Sequence, residues 1–297
     1  MTVGRNGYGS SEQTREKLEC FDKLITMHLR IGDALCKPGK DRYLYVDMNA
    51  GPGVVPDMGI YGSPLLFLNA VPPTLSYDAF FIENHPGRAQ SLTQAVAAYG
   101  DDERFDPHVS ICRGDHLAIA PRIVATQRGT PVGMVYHDPN GEPSFDTLIA
   151  MSHLPQAHRL DFVIYFGATS IKRANGMRQV KALADPNMYI ESRVTPLVES
   201  LSRIAKRHWI VQQPLGKWNW TYVIGTNWAD FPTWRKAGFH AVNTEQGQEI
   251  LDRLTSTKEE RAARSEPPAV PYVPRVSQTS LIPPSPAASN PSSNGHV

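Results

Sequence analysis

The sequence predicts an α/β protein: a doubly wound, mostly parallel, Rossmann-like sheet that ends in an antiparallel hairpin. Three observations lead there. Apolar, strand-like runs alternate with helix-like segments along the first two-thirds of the chain, the pattern of a parallel sheet covered on both faces. A glycine loop directly follows the first of these strands, where such sheets bind ligands. The last two strand candidates are separated only by PLGKW, enough for a hairpin and too short for a crossover helix.

Taken in order, residues 12–36 read as a helix. Leu18, Phe21, Leu24, Ile25, Leu29 and Ala34 lie close to one face, and Pro38-Gly39 stops it. RYLYVDMNAGPG is a short apolar strand running into the glycine loop. Ser63 is a good N-cap for the next helix, with Pro64 in its first turn. YDAFFIE is a strand, HPGRAQSLTQAVAAYG a helix and HVSICRGD a strand. HLAIAPRIVATQ is helical in part, with Pro121 expected at a start or a kink. VGMVYHDPNG is a strand plus turn, 144–153 a helix, and LDFVIYFGAT a buried strand. ESRVTPLVESLSRIAKR is helical, with Pro196 at its start or at a kink. HWIVQQP and NWTYVIGTNW are the final two strands, and TEQGQEILDRLTSTKEERAA is the closing helix. A parallel sheet finished by a hairpin is the shape of the class I methyltransferase fold; a plain Rossmann dehydrogenase lacks that hairpin.

Composition sets the outer bounds. A chain of 297 residues, 41% hydrophobic and 20% charged, can bury a sizeable core without staples. Thirty basic against 29 acidic side chains leave a net charge of +1, which argues against a basic coat protein but not against a local basic patch. Cys20, Cys36 and Cys112 are far apart and form no C-x-x-C pair, so neither a zinc ribbon nor a disulfide framework is expected. No metal site is expected. No apolar run is long enough to cross a membrane, and the first residues carry no apolar signal region. The expected setting is the cytoplasm, of a bacterium or a phage-infected host. Residues 1–11 are expected to be loose and 12–265 to form the folded domain. Residues 266–297, rich in proline and serine, are expected to be a disordered tail. Such a tail is either a solvated end or a docking segment for a protein partner.

The chemistry is concentrated at the strand ends. The first loop is Asp47-Met48-Asn49-Ala50-Gly51-Pro52-Gly53. Glycines there let backbone approach a cofactor that side chains would hold off. A full G-x-G-x-x-G is absent, because Pro56 stands where the third glycine would fall. Asp47 would repel a diphosphate but could accept from an amine. The loop therefore suits S-adenosylmethionine, a sulfonium with an amino acid moiety, better than a dinucleotide. Glu83 ends the second long strand, where an acid accepts ribose hydroxyls, and Asp115 follows the third, within reach of an adenine amine. The stretch GVVPDMGIYGSP, between the glycine loop and Glu83, is expected to be an extended loop near the cofactor. The fourth strand ends in Tyr136-His137-Asp138-Pro139-Asn140-Gly141. Amino-group methyltransferases carry an acid-Pro-Pro-aromatic turn here, whose acid accepts from an exocyclic amine while the aromatic stacks on a flipped base. Asp138-Pro139 keeps the hydrogen-bonding half; Asn140 and Gly141 replace the stacking half. Asp138 is thus the candidate orienting acid, with His137 as a base or Asn140 assisting. Tyr136 or a C-terminal tryptophan could stack instead.

DMNAGPG, GSPLLFL, FFIENHP, YHDPNG and WNWTYVIGTNW followed by TEQGQEIL together resemble the three-Cys-motif partner family and its phage relatives, over about residues 15–255. The resemblance implies the class I S-adenosylmethionine-dependent methyltransferase fold, with a cofactor site at Asp47, Gly51, Gly53, Glu83 and Asp115. It supplies no substrate, and some such partner proteins are accessory and not catalytic. The cysteines of the family's name belong to the partner.

Basic residues dominate 172–207, including Lys172, Arg173 and Arg178, at the edge where a substrate would lie. They could contact phosphates. All five tryptophans fall within 209–234, and an exposed one could stack on a base. The same residues also fit a solvated helix face and the core of a hairpin. The expectation is a methyltransferase that uses S-adenosylmethionine and acts on nucleic acid, DNA ahead of RNA. The alternative is a non-catalytic partner protein with the same fold.

Overall fold

A computed structural model describes residues 12–97, 108–139, 141–168, 197–214, 220–228 and 232–255. The N-terminal segment 1–11, the tail 266–297, Asn140, Trp218 and the basic residues Lys172, Arg173 and Arg178 lie outside them.

The chain opens with α1 (Glu12–Leu35), the first core strand β1 (Tyr43–Asp47), a small hairpin of β2 (Val54–Val55) and β3 (Ile60–Tyr61), and α2 (Ser63–Ala70). There follow β4 (Tyr77–Glu83), α3 (Pro86–Ala97), β5 (Val109–Arg113), α4 (His116–Ala125), β6 (Gly133–His137), α5 (Phe145–Ser152), a 3-10 turn and β7 (Leu160–Gly167). The described chain closes with α6 (Leu197–Arg203), β8 (His208–Gln212), β9 (Trp220–Thr226), α7 (Pro232–Lys236), β10 (Phe239–Ala241) and α8 (Glu245–Thr255).

Eight strands form one sheet in the order β10-β8-β9-β7-β6-β1-β4-β5. The run β5, β4, β1, β6 and β7 is parallel throughout. β9 is antiparallel to both of its neighbours, β7 and β8, so the hairpin β8–β9 inserts its second strand beside the parallel run. This is the strand order of the class I methyltransferase fold, with β10 added at the edge. Order reverses between β1 and β6, which places the switch point of the sheet at their C-terminal tips.

Two apolar layers cover the sheet, and β1 shows why its sequence is continuously apolar. Tyr43 and Tyr45 pack into the layer built with α1 and α2, while Leu44 and Val46 pack into the layer of α4, α5, α6 and α8. Side chains alternate between faces with period two, and with both faces covered neither set can be polar. Close strand approach also sets glycine positions. A Cβ on Gly133 would stand 1.9 Å from the Leu44 carbonyl oxygen, so Gly133→Ala must force the backbones of β6 and β1 apart. The expected cost is at least about 1–3 kcal/mol, read as a lowered midpoint in thermal or urea denaturation.

Several local readings are corrected. Ser63 is the first helical residue and not the cap; Gly62 holds the N-cap position, and the Ser63 hydroxyl is bonded elsewhere. The GVVPDMGIYGSP stretch holds the β2–β3 hairpin, where Val54 pairs Tyr61 and Val55 pairs Ile60. Of the two places expected for Pro121, the helix start is excluded, because it sits inside α4. α7 and β10, between the hairpin and the last helix, were not foreseen. The tryptophans in β9 and α7 belong to the core: Trp220 is 7% and Trp234 2% exposed. Trp209 in β8 lies across Gly225, where a Cβ would meet its ring at 2.6 Å. All three cysteines are free thiols, with Cys20 and Cys36 buried.

Candidate functional site at the strand tips

The carboxyl ends of β1, β4 and β6 are sewn together by backbone and side-chain bonds. Met48 N donates to Tyr136 O and Ala50 N to Ile82 O, each at 2.9 Å, so the loop after β1 is held from both neighbouring strands. Gly51, with φ +67, and Gly53, with φ +83, turn that loop through the left-handed region. The two glycines differ in what surrounds them. A Cβ on Gly53 would press on Ala95 and Leu92 of α3 at 3.0 and 3.1 Å, so this position serves close packing of loop on helix. A Cβ on Gly51 would meet nothing within 4 Å, so this position opens to free space. A β-branched residue is nevertheless strained there by the backbone alone.

Glu83, 7% exposed, closes the loop from the β4 side. Its Oε2 accepts from Gly51 N at 3.0 Å and its Oε1 from His85 N at 2.7 Å. Each carboxylate oxygen has a second lone pair, so Glu83 can receive two further donors while it orders the loop. Vicinal ribose hydroxyls are donors of that kind. The open space at Gly51 beside a buried carboxylate fits the nucleoside half of S-adenosylmethionine.

Asp47 is placed differently from the sequence expectation. It is fully buried, and it faces its own protein. Its Oδ1 accepts from Asn49 N at 3.1 Å, and its Oδ2 from the Ser63 hydroxyl at 2.6 Å and more distantly from the Tyr45 hydroxyl at 3.4 Å. Burial drives its pKa up to about 7, against the pull of those hydrogen bonds, and the charge of Asp138 adds to the rise. Asp47 therefore anchors the glycine loop to α2. Asp115 caps α4 through Leu117 N at 3.0 Å, and its side chain remains 55% exposed.

At β6, His137 departs from the role of a free base. Its ring is fully buried, with Nδ1 2.7 Å from Asn49 Oδ1 and Nε2 accepting from Ser144 N at 3.0 Å. Those partners select the neutral tautomer with the proton on Nδ1. Burial, helped by neighbouring His116, pushes its pKa down to about 3. His137 is a clamp between the glycine loop and the turn that follows β6. Asn49, a candidate ligand for cofactor, is the other jaw of that clamp. His116 extends the group: its ring centroid is 5.4 Å from that of His137, and its Nε2 is 3.2 Å from Ser144 Oγ.

Asp138 is the carboxylate of this turn that remains partly open, with its side chain 17% exposed. Its Oδ2 is held by Lys17 Nζ at 2.6 Å and by the Tyr136 hydroxyl at 3.4 Å. Tyr136 cannot stack on a base. It is fully buried, 4.2 Å from the Phe21 ring, with its hydroxyl 3.3 Å from that of Tyr222. Lys17, Ser63, Ser144 and His116 are the site residues that sequence reasoning missed. Lys17 lies 121 residues from its partner, and no local pattern connects them.

The fold and the strand-tip cluster define a Rossmann-like, class I methyltransferase-type scaffold. No protein-family model and no curated protein matches the chain. Solved structures with a similar course include a methyltransferase from Geobacter sulfurreducens, at 17% identity over 69% of this chain and 76% of that one, with a TM-score of 0.40. A protein of Legionella pneumophila matches at 11% identity over 79% and 91%, with a TM-score of 0.46. A variant of MtNAS in complex with S-adenosylmethionine matches at 17% identity over 72% and 66%, with a TM-score of 0.38. The fold assignment rests on the strand order itself.

Proposed function

We propose that the chain is an S-adenosylmethionine-dependent methyltransferase that delivers a methyl group to an acceptor nitrogen at Asp138. The observation that carries this reading is the joined pair of tips. Glu83 and Gly51 stand on one side of the switch point, Asp138 on the other, and the His137–Asn49 contact of 2.7 Å fixes one against the other. A donor and an acceptor that react in line need that fixed relation.

When bound, S-adenosylmethionine supplies an electrophilic methyl group on a sulfonium. The chain's own residues do the rest. Glu83 accepts the ribose hydroxyls, Gly51 leaves room for the nucleoside, Asp115 accepts from the adenine amine, and Asp138 accepts a proton or a hydrogen bond from the acceptor nitrogen. Asp47 and His137 keep the loop in place. The macromolecular acceptor we assign is nucleic acid, DNA ahead of RNA, with Lys172, Arg173 and Arg178 as its phosphate contacts. A cytoplasmic setting agrees with three free cysteines.

Calorimetric titration with S-adenosylmethionine and S-adenosylhomocysteine tests the donor site. Binding of both, lost in Gly51→Val, is the expected result. Transfer of a labelled methyl group to DNA, RNA or a protein lysate, compared with Asp138→Ala, tests the acceptor. Binding without any transfer would favour an accessory protein of the three-Cys-motif partner kind, working through protein contacts that include the proline-rich tail.

A further inference from the structure

An amine already sits on the acceptor acid. Lys17 Nζ is 2.6 Å from Asp138 Oδ2 and 4.8 Å from the centroid of the Tyr165 ring. The side chain is only 18% exposed, although lysines normally keep the ammonium in water. Its position is fixed from several sides. The Lys17 carbonyl oxygen accepts from the Tyr222 hydroxyl at 3.3 Å, and Phe21, one turn along α1, packs on Tyr136. The second turn of α1 is therefore pinned over residues of β6, β7 and β9. Other described lysines of this part of the chain, Lys23, Lys37 and Lys40, are exposed. The seat is also close to the donor side. Asp138 directly follows His137, which grips the glycine loop, and its charge is felt at Asp47.

We propose that Lys17 is itself a methyl acceptor, modified on Nζ by the chain that carries it. The proposal rests on the donor site assigned above. Asp138 takes a proton from the Lys17 ammonium and frees the nitrogen lone pair. The nitrogen forms a bond to the methyl carbon as the carbon–sulfur bond breaks, and that electron pair stays on sulfur. The products are N-methyl-lysine and S-adenosylhomocysteine, and Asp138 returns its proton to solvent. The methylated nitrogen keeps its charge but loses one N–H donor. Three methyl groups would leave none for Asp138 and would loosen the hold of α1 on the acceptor seat.

The test uses the full chain. First, the cofactor-free protein is exposed to an amine-acylating reagent. Lys17 is expected to react more slowly than Lys23, Lys37 and Lys40, and faster once Asp138→Asn removes its partner. Second, the protein is incubated with S-adenosylmethionine carrying a trideuterated methyl group and read by peptide mass spectrometry, with donor affinity measured in parallel by calorimetry. Label is expected at Lys17, absent in Lys17→Arg, and lower by about a hundredfold in Asp138→Asn, the scale of a lost general base. Both variants are expected to bind the donor as the parent does. Donor binding with an unlabelled Lys17, or equal label on the exposed lysines, would overturn the proposal alone. Absence of donor binding would overturn the donor-site reading and this proposal with it. A Lys17 as reactive as its exposed counterparts would overturn the seating on which the step depends.

Discussion

Glu83→Gln is expected to abolish measurable S-adenosylmethionine binding while leaving the sheet folded. Both carboxylate oxygens of Glu83 accept from backbone N–H groups, one of Gly51 and one of His85. A glutamine keeps the shape but turns one acceptor into a donor. In either amide orientation, one N–H of the protein then faces another N–H in a nearly buried place. A hydrogen bond to a charged group contributes about 1.5–3 kcal/mol, and a buried donor left unpaired costs about 1–3 kcal/mol. The consequence falls on the loop, because Gly51 at φ +67 has Glu83 as its tie to β4. The same change removes the charged acceptor offered to the ribose hydroxyls. Together these losses weaken the donor by at least about a hundredfold. Calorimetry reads the affinity, and a thermal melt reads the fold. Asp115→Ala is expected to weaken the donor less, because its half-exposed carboxylate offers only the adenine contact, and to cost about 1 kcal/mol of stability as the cap of α4 is lost. An unchanged affinity in Glu83→Gln would place the nucleoside elsewhere.

The parallel core of this fold was legible because β1, β4, β6 and β7 are covered on both faces and so read as mainly apolar runs, interrupted internally by Asp78 in β4 and Asp161 in β7. The hairpin was legible because five residues cannot hold a crossover. The elements that escaped are short ones whose pairing comes from tertiary context. β10 has three residues and exists because β8 offers it a free edge. The β2–β3 hairpin pairs two residues with two, and no alternation could announce it. At the site, sequence located the strand-end acids but not which way they face. Asp47 and Glu83 look equivalent in sequence, as acids closing apolar strands. Asp47 turns inward because Ser63 supplies a donor beneath it; Glu83 turns to the loop because Gly51 and His85 supply donors there. His137 looked like a base because its two ring partners, Asn49 and Ser144, are recognisable only once the loops are folded against each other. The Lys17–Asp138 pair joins the first helix to the fourth core strand of the parallel run and could be found only in three dimensions.

Asp47→Asn is expected to change the pH dependence of stability in a direction opposite to the usual one for a carboxylate. Its pKa is raised by burial from 3.8 to about 7, so the folded state favours the protonated form. Its contribution to stability is fully present below about pH 4 and is lost as pH rises toward 7. His137 works the other way. Its pKa is lowered from 6.5 to about 3, so its stabilising contribution is present above 6.5 and is lost as pH falls through that window. Between about pH 4 and 6.5 the two slopes oppose each other, and the parent protein is expected to vary little from these groups alone. Removing one exposes the other. In Asp47→Asn the amide cannot ionise, so its stability relative to the parent should rise with pH from 4 to 7, by up to a few kcal/mol. In His137→Asn the relative stability should instead improve as pH falls from 6.5. Urea denaturation across that range, with midpoint and slope both fitted, distinguishes these outcomes. A difference curve for Asp47→Asn that is flat, or that falls with pH, would mean that Asp47 is ionised in the folded chain. The buried loop anchor would then be a charged one, and the bond from the Ser63 hydroxyl would count for more than the burial around it.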